Sequence, residues 1–247
     1  MTEVRGYVRN DGRVGFRNMI AVVPLSGCGQ LIAQRIAAEV KDAVALWQPL
    51  GCDLLGPDQD RLAKCLFRLA THVNVGGAIF VTMGCAATNI HQLPERTRRS
   101  GRPTHLLNIQ RIGGTTACVR AGVAAATNIA EVLAGQRRQA VPVSSITLGT
   151  KCGASDETSY QTSNPALGAA CDRLVDLGAT VVLTEDAELY PITEDLAGRA
   201  ADARAAQGIR EMADKLRDNL KRRCNVDIAQ QAGDPDRARQ NALSRAC

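Results

Sequence analysis

The chain has 247 residues, 45% of them hydrophobic and 3% aromatic, with 22 glycines, nine cysteines and a formal net charge of +5. That length buries a substantial core in one large domain or two small ones. The modest charge, without a basic patch interleaved with aromatics, argues against a nucleic-acid partner. The N-terminus MTEVRGYVRNDGR lacks a hydrophobic signal region, and no apolar run reaches the roughly 18 residues of a membrane span. A cytoplasmic protein without a membrane partner is the expectation, and in that reducing setting nine cysteines are read as metal ligands, catalytic groups or buried side chains rather than disulfides.

In chain order, apolar β-branched runs alternate with helical patterns. Strands are predicted at Met19–Pro24, Gly77–Met83, His105–Ile109, Ser144–Leu148 and Thr180–Thr184, with a weaker one at Val44–Leu50. Between them, apolar residues at 3–4 spacing predict helices over Gln30–Val44, Asp58–Ala70, Thr115–Leu133 and Pro165–Leu177. Helices of that length between strands imply crossover connections. The predicted fold is α/β: a mostly parallel sheet with flanking helices in Rossmann-like layers, then a helical C-terminal extension. Residues 1–192 are read as the metal-binding catalytic core and 193–247 as a charged helical extension and tail. Between Arg199 and Cys224, eight Lys/Arg outnumber four Asp/Glu, which reads as a solvated or subunit-contact helix.

Open parallel sheets bind ligands beyond the carboxyl ends of their strands. Four cysteines follow predicted strands in glycine-bearing loops: Cys28 in LSGCG, Cys52 in PLGCD, Cys85 in GCAATN and Cys152 in GTKCGASDETS. A compact turn, metal or cluster ligation, and a nucleophilic or redox role all remain open for them. Without a CxxC pair they suit an open site built from separate loops better than a closed structural zinc site. Cys65, Cys118 and Cys171 fall in helical patterns and read as small buried hydrophobes.

Other candidates share these loops. Lys151 adjoins Cys152 and is a candidate acid–base group, as is His91, six residues past Cys85; His72 and His105 read as structural. Ser155 and Asp156 suit substrate binding or, equally, a cap or turn. Gly113, Gly114 and Thr115 precede a helix, where backbone N–H groups receive anions. Arg13, Arg17 and Asn18, in an N-terminal segment that also holds Arg5 and Arg9, match an anionic substrate, because guanidinium binds carboxylate through paired hydrogen bonds.

The segments GYVRNDGRVGFRN, Leu50–Cys52, HVNVGGAIFVTMGC, LNIQRIGGT and LGTKCGASDETSYQTSNPALGAACDRLVDLGATVVLTE, followed by Glu188–Tyr190, resemble the altronate dehydratase/galactarate dehydratase family, which includes the large subunit of sulfolactate sulfo-lyase. The resemblance implies metal-assisted elimination of water from a small anionic hydroxy-acid or sugar acid, by α-proton abstraction, to give a 2-keto-3-deoxy acid. It implies iron or Mn²⁺; read from the thiols themselves, the iron is either mononuclear Fe²⁺ or part of an iron–sulfur cluster held by three of them. Two positions depart from it: Ala86 stands where members carry an acidic residue, and Gln48-Pro49-Leu50 where they often carry a histidine. The chain is also expected to lack the family's C-terminal and small N-terminal domains, with separate subunits of an oligomer supplying them. The alternatives are a non-catalytic assembly or regulatory subunit and an iron–sulfur redox protein.

Overall fold

The computed structural model describes residues 3–50, 53–85, 88–151, 156–228 and 239, without the side chains of Thr88, Asn89 and Tyr160. The chain divides into two compact units, Glu3–Pro142 and Val143–Cys247. The boundary between these units falls near residue 142.

In the first unit, β1 (Glu3–Val8) turns back into β2 (Val14–Gly15), pairing Tyr7 with Gly15. The turn closes through Arg9 N–H to the Arg13 carbonyl and Gly12 N–H to the Arg9 carbonyl, with Gly12 at φ +78°. Asn-Asp-Gly is a hairpin signal that the reading of this segment as an arginine motif passed over. Then follow β3 (Met19–Pro24), α1 (Gln30–Glu39), β4 (Ala43–Ala45), α2 (Pro57–Ala70), β5 (Val75–Thr82), α3 (Thr88–His91), α4 (Leu93–Arg99), β6 (Thr104–Asn108), α5 (Ile109–Ile112), α6 (Thr115–Ala134) and β7 (Gln139–Pro142). α1 stops short of the predicted Val44 because the chain turns at Asp42 (φ 63°) into β4. β7 returns to lie antiparallel to β1, giving a small sheet in the order β2-β1-β7.

The main sheet is parallel, in the order β4-β3-β5-β6. All eight residues of β5, VGGAIFVT, are buried, as a central parallel strand covered on both faces requires. Alternation along the strands divides the core. Ile20, Val22, Ile79, Val81 and Leu107 meet α1 and α6, while Ala21, Val23, Ala78 and Phe80 meet α2, Ile90 and Leu93. Each large, fully buried side chain here contributes about 1.5–3 kcal/mol over leaving it in water. Gly122 lets α6 close on α1, since a Cβ there would lie 2.2 Å from Ile36 Cδ1. Among the described residues, α6 has the length and apolar composition of a membrane span. In this fold it buries Cys118, Ala125, Ala126, Ile129 and Leu133 in the core.

The second unit contains one crossover: β8 (Thr147–Thr150), a π turn at Ser159–Ser163, α7 (Asn164–Asp176) and β9 (Thr180–Leu183), with the two strands parallel. These strands pair with each other rather than extending the main sheet. Then come α8 (Asp186–Leu189), α9 (Thr193–Gly198) and α10 (Ala203–Cys224). Asp202 caps α10 by accepting from Ala205 N–H at 2.7 Å, and Lys221, Arg222 and Arg223 stand at its negative end. Leu189 and Ile192 form a small core with Leu196.

Two outcomes are expected. A Cβ on buried Gly15 would lie 1.9 Å from the Val73 carbonyl oxygen, so Gly15→Ala must displace backbone. It should cost about 2 kcal/mol, read as a lower urea midpoint for the unit that contains it. Burial, then the charges of Arg13 and Arg102, holds His72 below its ordinary value of 6.5. Below that pH the unfolded chain binds more protons at His72 than the folded one. Its contribution is full above the ordinary value and is lost as the pH falls through the folded pKa. The urea midpoint should drop between pH 7 and 5, and His72→Asn should flatten part of that slope.

Candidate functional site

At the carboxyl end of the main sheet, three loops are drawn together by backbone contacts. After β3, Leu25 N–H donates to the Val81 carbonyl (2.8 Å) and Gly27 N–H to the Leu50 carbonyl (2.7 Å). A Cβ on Gly27 would lie 2.7 Å from the Pro49 oxygen, so glycine is needed for the approach. Cys28 follows in a single 3₁₀ turn, exposed. Gln48 is 2% exposed and shapes the adjoining loop. Its Oε1 accepts from Leu50 N–H (2.6 Å), its Nε2 donates to the Leu50 carbonyl (3.1 Å), and its own N–H donates to Gln30 Oε1 (2.8 Å). Where relatives are expected to carry histidine nearby, this chain has a clamp on its own backbone. The clamped loop leads to Cys52, which lies outside the described residues.

After β5, Gly84 takes φ +97° and donates to Thr82 Oγ1 (2.9 Å), presenting Cys85 at the surface. Half-buried His91 ends α3 on the same side of the sheet. After β6, Asn108 Oδ1 accepts from Arg111 N–H (3.1 Å) and caps α5. Gly113 and Gly114, both at positive φ, then start α6 at exposed Thr115. No acidic residue stands in the first turn of α6. The N–H groups of a 20-residue helix thus open at the same end of the sheet as the loops of Cys28 and Cys85, an arrangement suited to an anion.

The second unit has a carboxyl edge of its own. Thr184 Oγ1 donates to the Thr150 carbonyl, and Lys151 Nζ meets Glu185 Oε1 at 2.8 Å. Lys151 is 75% exposed and Glu185 24%. Thr150, Lys151, Asn164, Leu167, Leu183, Thr184 and Leu189 line a cavity of about 20 Å³ there, room for one water. Glu185, at φ 67°, is the residue sequence reasoning did not single out. Its signal was position: it follows the strand that pairs with the one before Lys151. Asp156 Oδ1 accepts from Thr158 Oγ1 (2.7 Å), Ser159 N–H (2.9 Å) and Ser159 Oγ (3.0 Å), and these bonds, led by that of Thr158, lower its pKa. Asp156 is thus placed as a turn cap. Cys152 and Ser155 lie outside the described residues.

Three expected substrate ligands stand elsewhere. Arg13 grips Asp11 through Nε (2.9 Å) and Nη2 (2.7 Å). Asn18 Oδ1 accepts from Arg9, and its Nδ2 donates to Gln136. Arg17 is exposed and gives its carbonyl to Arg9. All three precede β3, at the amino ends of the strands. At about 3.3 Å per residue, the six residues of β3 put them roughly 20 Å from Cys28. The structure does not bring them to the thiols; they knit the hairpin to the sheet.

Of the four expected metal ligands, Cys28 and Cys85 are described. Among the described residues, no group of three or more His, Cys, Asp or Glu is placed to hold a metal ion. Two thiols fall short of the three protein ligands of an open catalytic site. Of the three helix cysteines expected to be buried, Cys118 is fully so, with its pKa raised by burial, and Cys171 partly. Cys65 is exposed because Ala63, Leu66 and Ala70 form the inward face of α2. Thiol labelling of the native chain, read residue by residue by mass spectrometry, should modify Cys28, Cys65 and Cys224 within minutes and spare Cys118 until unfolding.

Comparison with known proteins follows the same division. Residues 6–134 match the family domain described as "D-galactarate dehydratase/Altronate hydrolase, second domain", and residues 143–235 that described as "D-galactarate/Altronate dehydratase, C-terminal". The second match begins where the second compact unit begins, so family C-terminal sequence is present here from residue 143 on. The chain is 32% identical to altronate dehydratase of Bacillus subtilis over 213 residues, covering 80% of this chain and 41% of that protein. It is 28% identical to (2R)-sulfolactate sulfo-lyase subunit beta of Chromohalobacter salexigens over 225 residues, covering 91% and 57%. With altronate dehydratase of Escherichia coli it shares 29% identity over 199 residues, covering 76% and 40%. The chain spans about half the length of the curated relatives it matches. On both of its units, it belongs to the D-galactarate dehydratase/altronate dehydratase family of lyases.

Proposed function

We propose that this chain is a subunit of a hydro-lyase that removes water from a small hydroxy-acid or sugar acid to give a 2-keto-3-deoxy acid. The observation that carries this reading is the family match over both units, coinciding with Gly–Cys loops at the carboxyl ends of β3 and β5. The substrate is an anion, and the N-terminus of α6 at Gly113–Thr115 is the group in the first unit best suited to receive its carboxylate. Lys151 and His91 are the candidate acid–base groups, each beyond the carboxyl end of its own sheet. Lys151, paired with Glu185, suits stabilisation of enolate charge or proton delivery to the departing hydroxide better than proton abstraction.

Cys28, Cys52, Cys85 and Cys152 are the residues that would hold iron, with manganese as the alternative metal. When bound, the metal supplies Lewis-acid polarisation of the substrate's oxygens. A relative whose name marks it as subunit beta of a sulfo-lyase supports assembly with at least one further chain.

The test is purification without oxygen, together with any co-purifying chain, followed by metal and sulfide analysis and assay of water loss from a panel of sugar acids. Turnover is expected, with Lys151→Met lowering kcat by about 10²–10⁴-fold and Cys152→Ser abolishing turnover while the circular dichroism spectrum is unchanged. Turnover that survives both substitutions would overturn the site. No turnover on any acid, with no metal retained, would leave the chain a non-catalytic assembly subunit.

A further inference from the structure

The N-terminal arginines, displaced from the thiol loops, build something of their own. At the amino ends of the parallel strands a cavity of about 290 Å³ opens between the end of β1, the start of β5, the segment entering β6 and the segment joining α6 to β7. Arg9, Arg102 and Arg137 line it, with Tyr7, Asn10 and Gln136. It lies wholly within the first unit.

The partners of these cations are neutral. Arg102 is 4% exposed, and donates to the carbonyls of Val75 (3.0 Å), Thr71 (2.9 Å) and His72 (3.3 Å) and to Ser100 Oγ (3.0 Å). Arg9 donates to the carbonyls of Val73 (2.7 Å) and Arg17 (3.0 Å) and to Asn18 Oδ1 (2.9 Å). Its guanidinium also stands 5.6 Å from the centre of the Tyr7 ring, with that of Arg138 at 5.2 Å. Arg137 is exposed and makes no ion pair among the described residues. Burial depresses both Arg9 and Arg102, and repulsion from Arg9 and Arg13 lowers Arg102 further. The carboxylate near enough to act on them is Asp11, already held by Arg13.

The negative ends of α2 and α6 also face this edge, each worth about half a charge. Four guanidinium groups (Arg9, Arg13, Arg102 and Arg137) against one carboxylate and two helix ends leave an excess of about two positive charges around a concave surface. Buried charge that lacks a counter-ion is costly, and a cleft lined by one sign concentrates the other.

We propose that this cavity is a binding site for a compact, doubly charged oxyanion, a phosphate group or a short dicarboxylate, separate from the thiol loops and independent of the hydro-lyase reading. Its size suits a ligand smaller than most cofactors. Arg137 is the residue whose charge remains for the ligand. Arg9 and Arg102 hold the cavity's shape by their carbonyl bonds and add charge.

The test is calorimetric titration of the full chain with inorganic phosphate and, separately, with malonate, at low and high ionic strength. Saturable binding of either is expected, weakening as salt rises. Phosphate alone, malonate alone or both would identify the head group accepted. Arg137→Ala should weaken binding about tenfold, as loss of a charge-assisted contact does, with the melting temperature of the unliganded chain unchanged. Arg35→Ala, which removes an exposed arginine of α1, should leave binding as it was. No saturable binding of either anion, or equal binding by Arg137→Ala, would overturn the proposal.

Discussion

The first unit depends on the burial of β5 from end to end. A strand with both faces covered and both edges paired offers its backbone no alternative to the ladder, and no polar side chain can be spared for solvent. β5 meets this with small and apolar residues, two adjacent glycines among them. A Cβ on Gly76 would lie 2.3 Å from Asn18 Oδ1, and one on Gly77 2.5 Å from Ile129 Cγ2. The glycines therefore let the start of β3 and the helix α6 come as close as they do. With β5 set between β3 and β6, every connection must cross over, and the sheet acquires two chemically distinct edges.

Those edges divide the polar chemistry of the unit. The carboxyl edge collects Cys28, the clamped loop at Gln48–Leu50, Cys85 and the N-terminus of α6. Its tools are thiols and N–H dipoles. The amino edge collects helix C-termini and exposed carbonyls, and arginine answers them: Arg102 and Arg13 take the Thr71 carbonyl, and Arg9 takes that of Val73. One polypeptide thus carries an anion-attracting group at each end of its sheet by different physical means.

The second unit follows other rules. Its two parallel strands leave Val182 44% and Leu183 40% exposed, and α7 buries only Gly168 among its described side chains. Parallel sheets elsewhere are covered on both faces, and two strands alone are marginal. The Lys151–Glu185 pair sits on this lightly packed layer. An exposed ion pair of that kind adds about 1 kcal/mol at most to stability.

Local pattern determined much. Strand β3 and helices α2, α6 and α7 fall within a residue or two of their predicted limits, because apolar periodicity and a proline at the helix start are properties of neighbouring residues. The family was legible for the same reason, since its motifs are short runs of sequence. What pattern did not carry was distance in space. Asn10-Asp11-Gly12 closes a hairpin whose partner β7 lies some 125 residues on, and no local signal announces such a pairing. Arg13, Arg17 and Asn18 carry the right chemistry for a carboxylate, yet the direction of β3 sets them at the far end of the sheet from Cys28. Spacing likewise did not show that β8 and β9 pair with each other and not with the main sheet. Residue type and spacing determined what each loop is able to do; the crossing of the strands decided which loops share an edge.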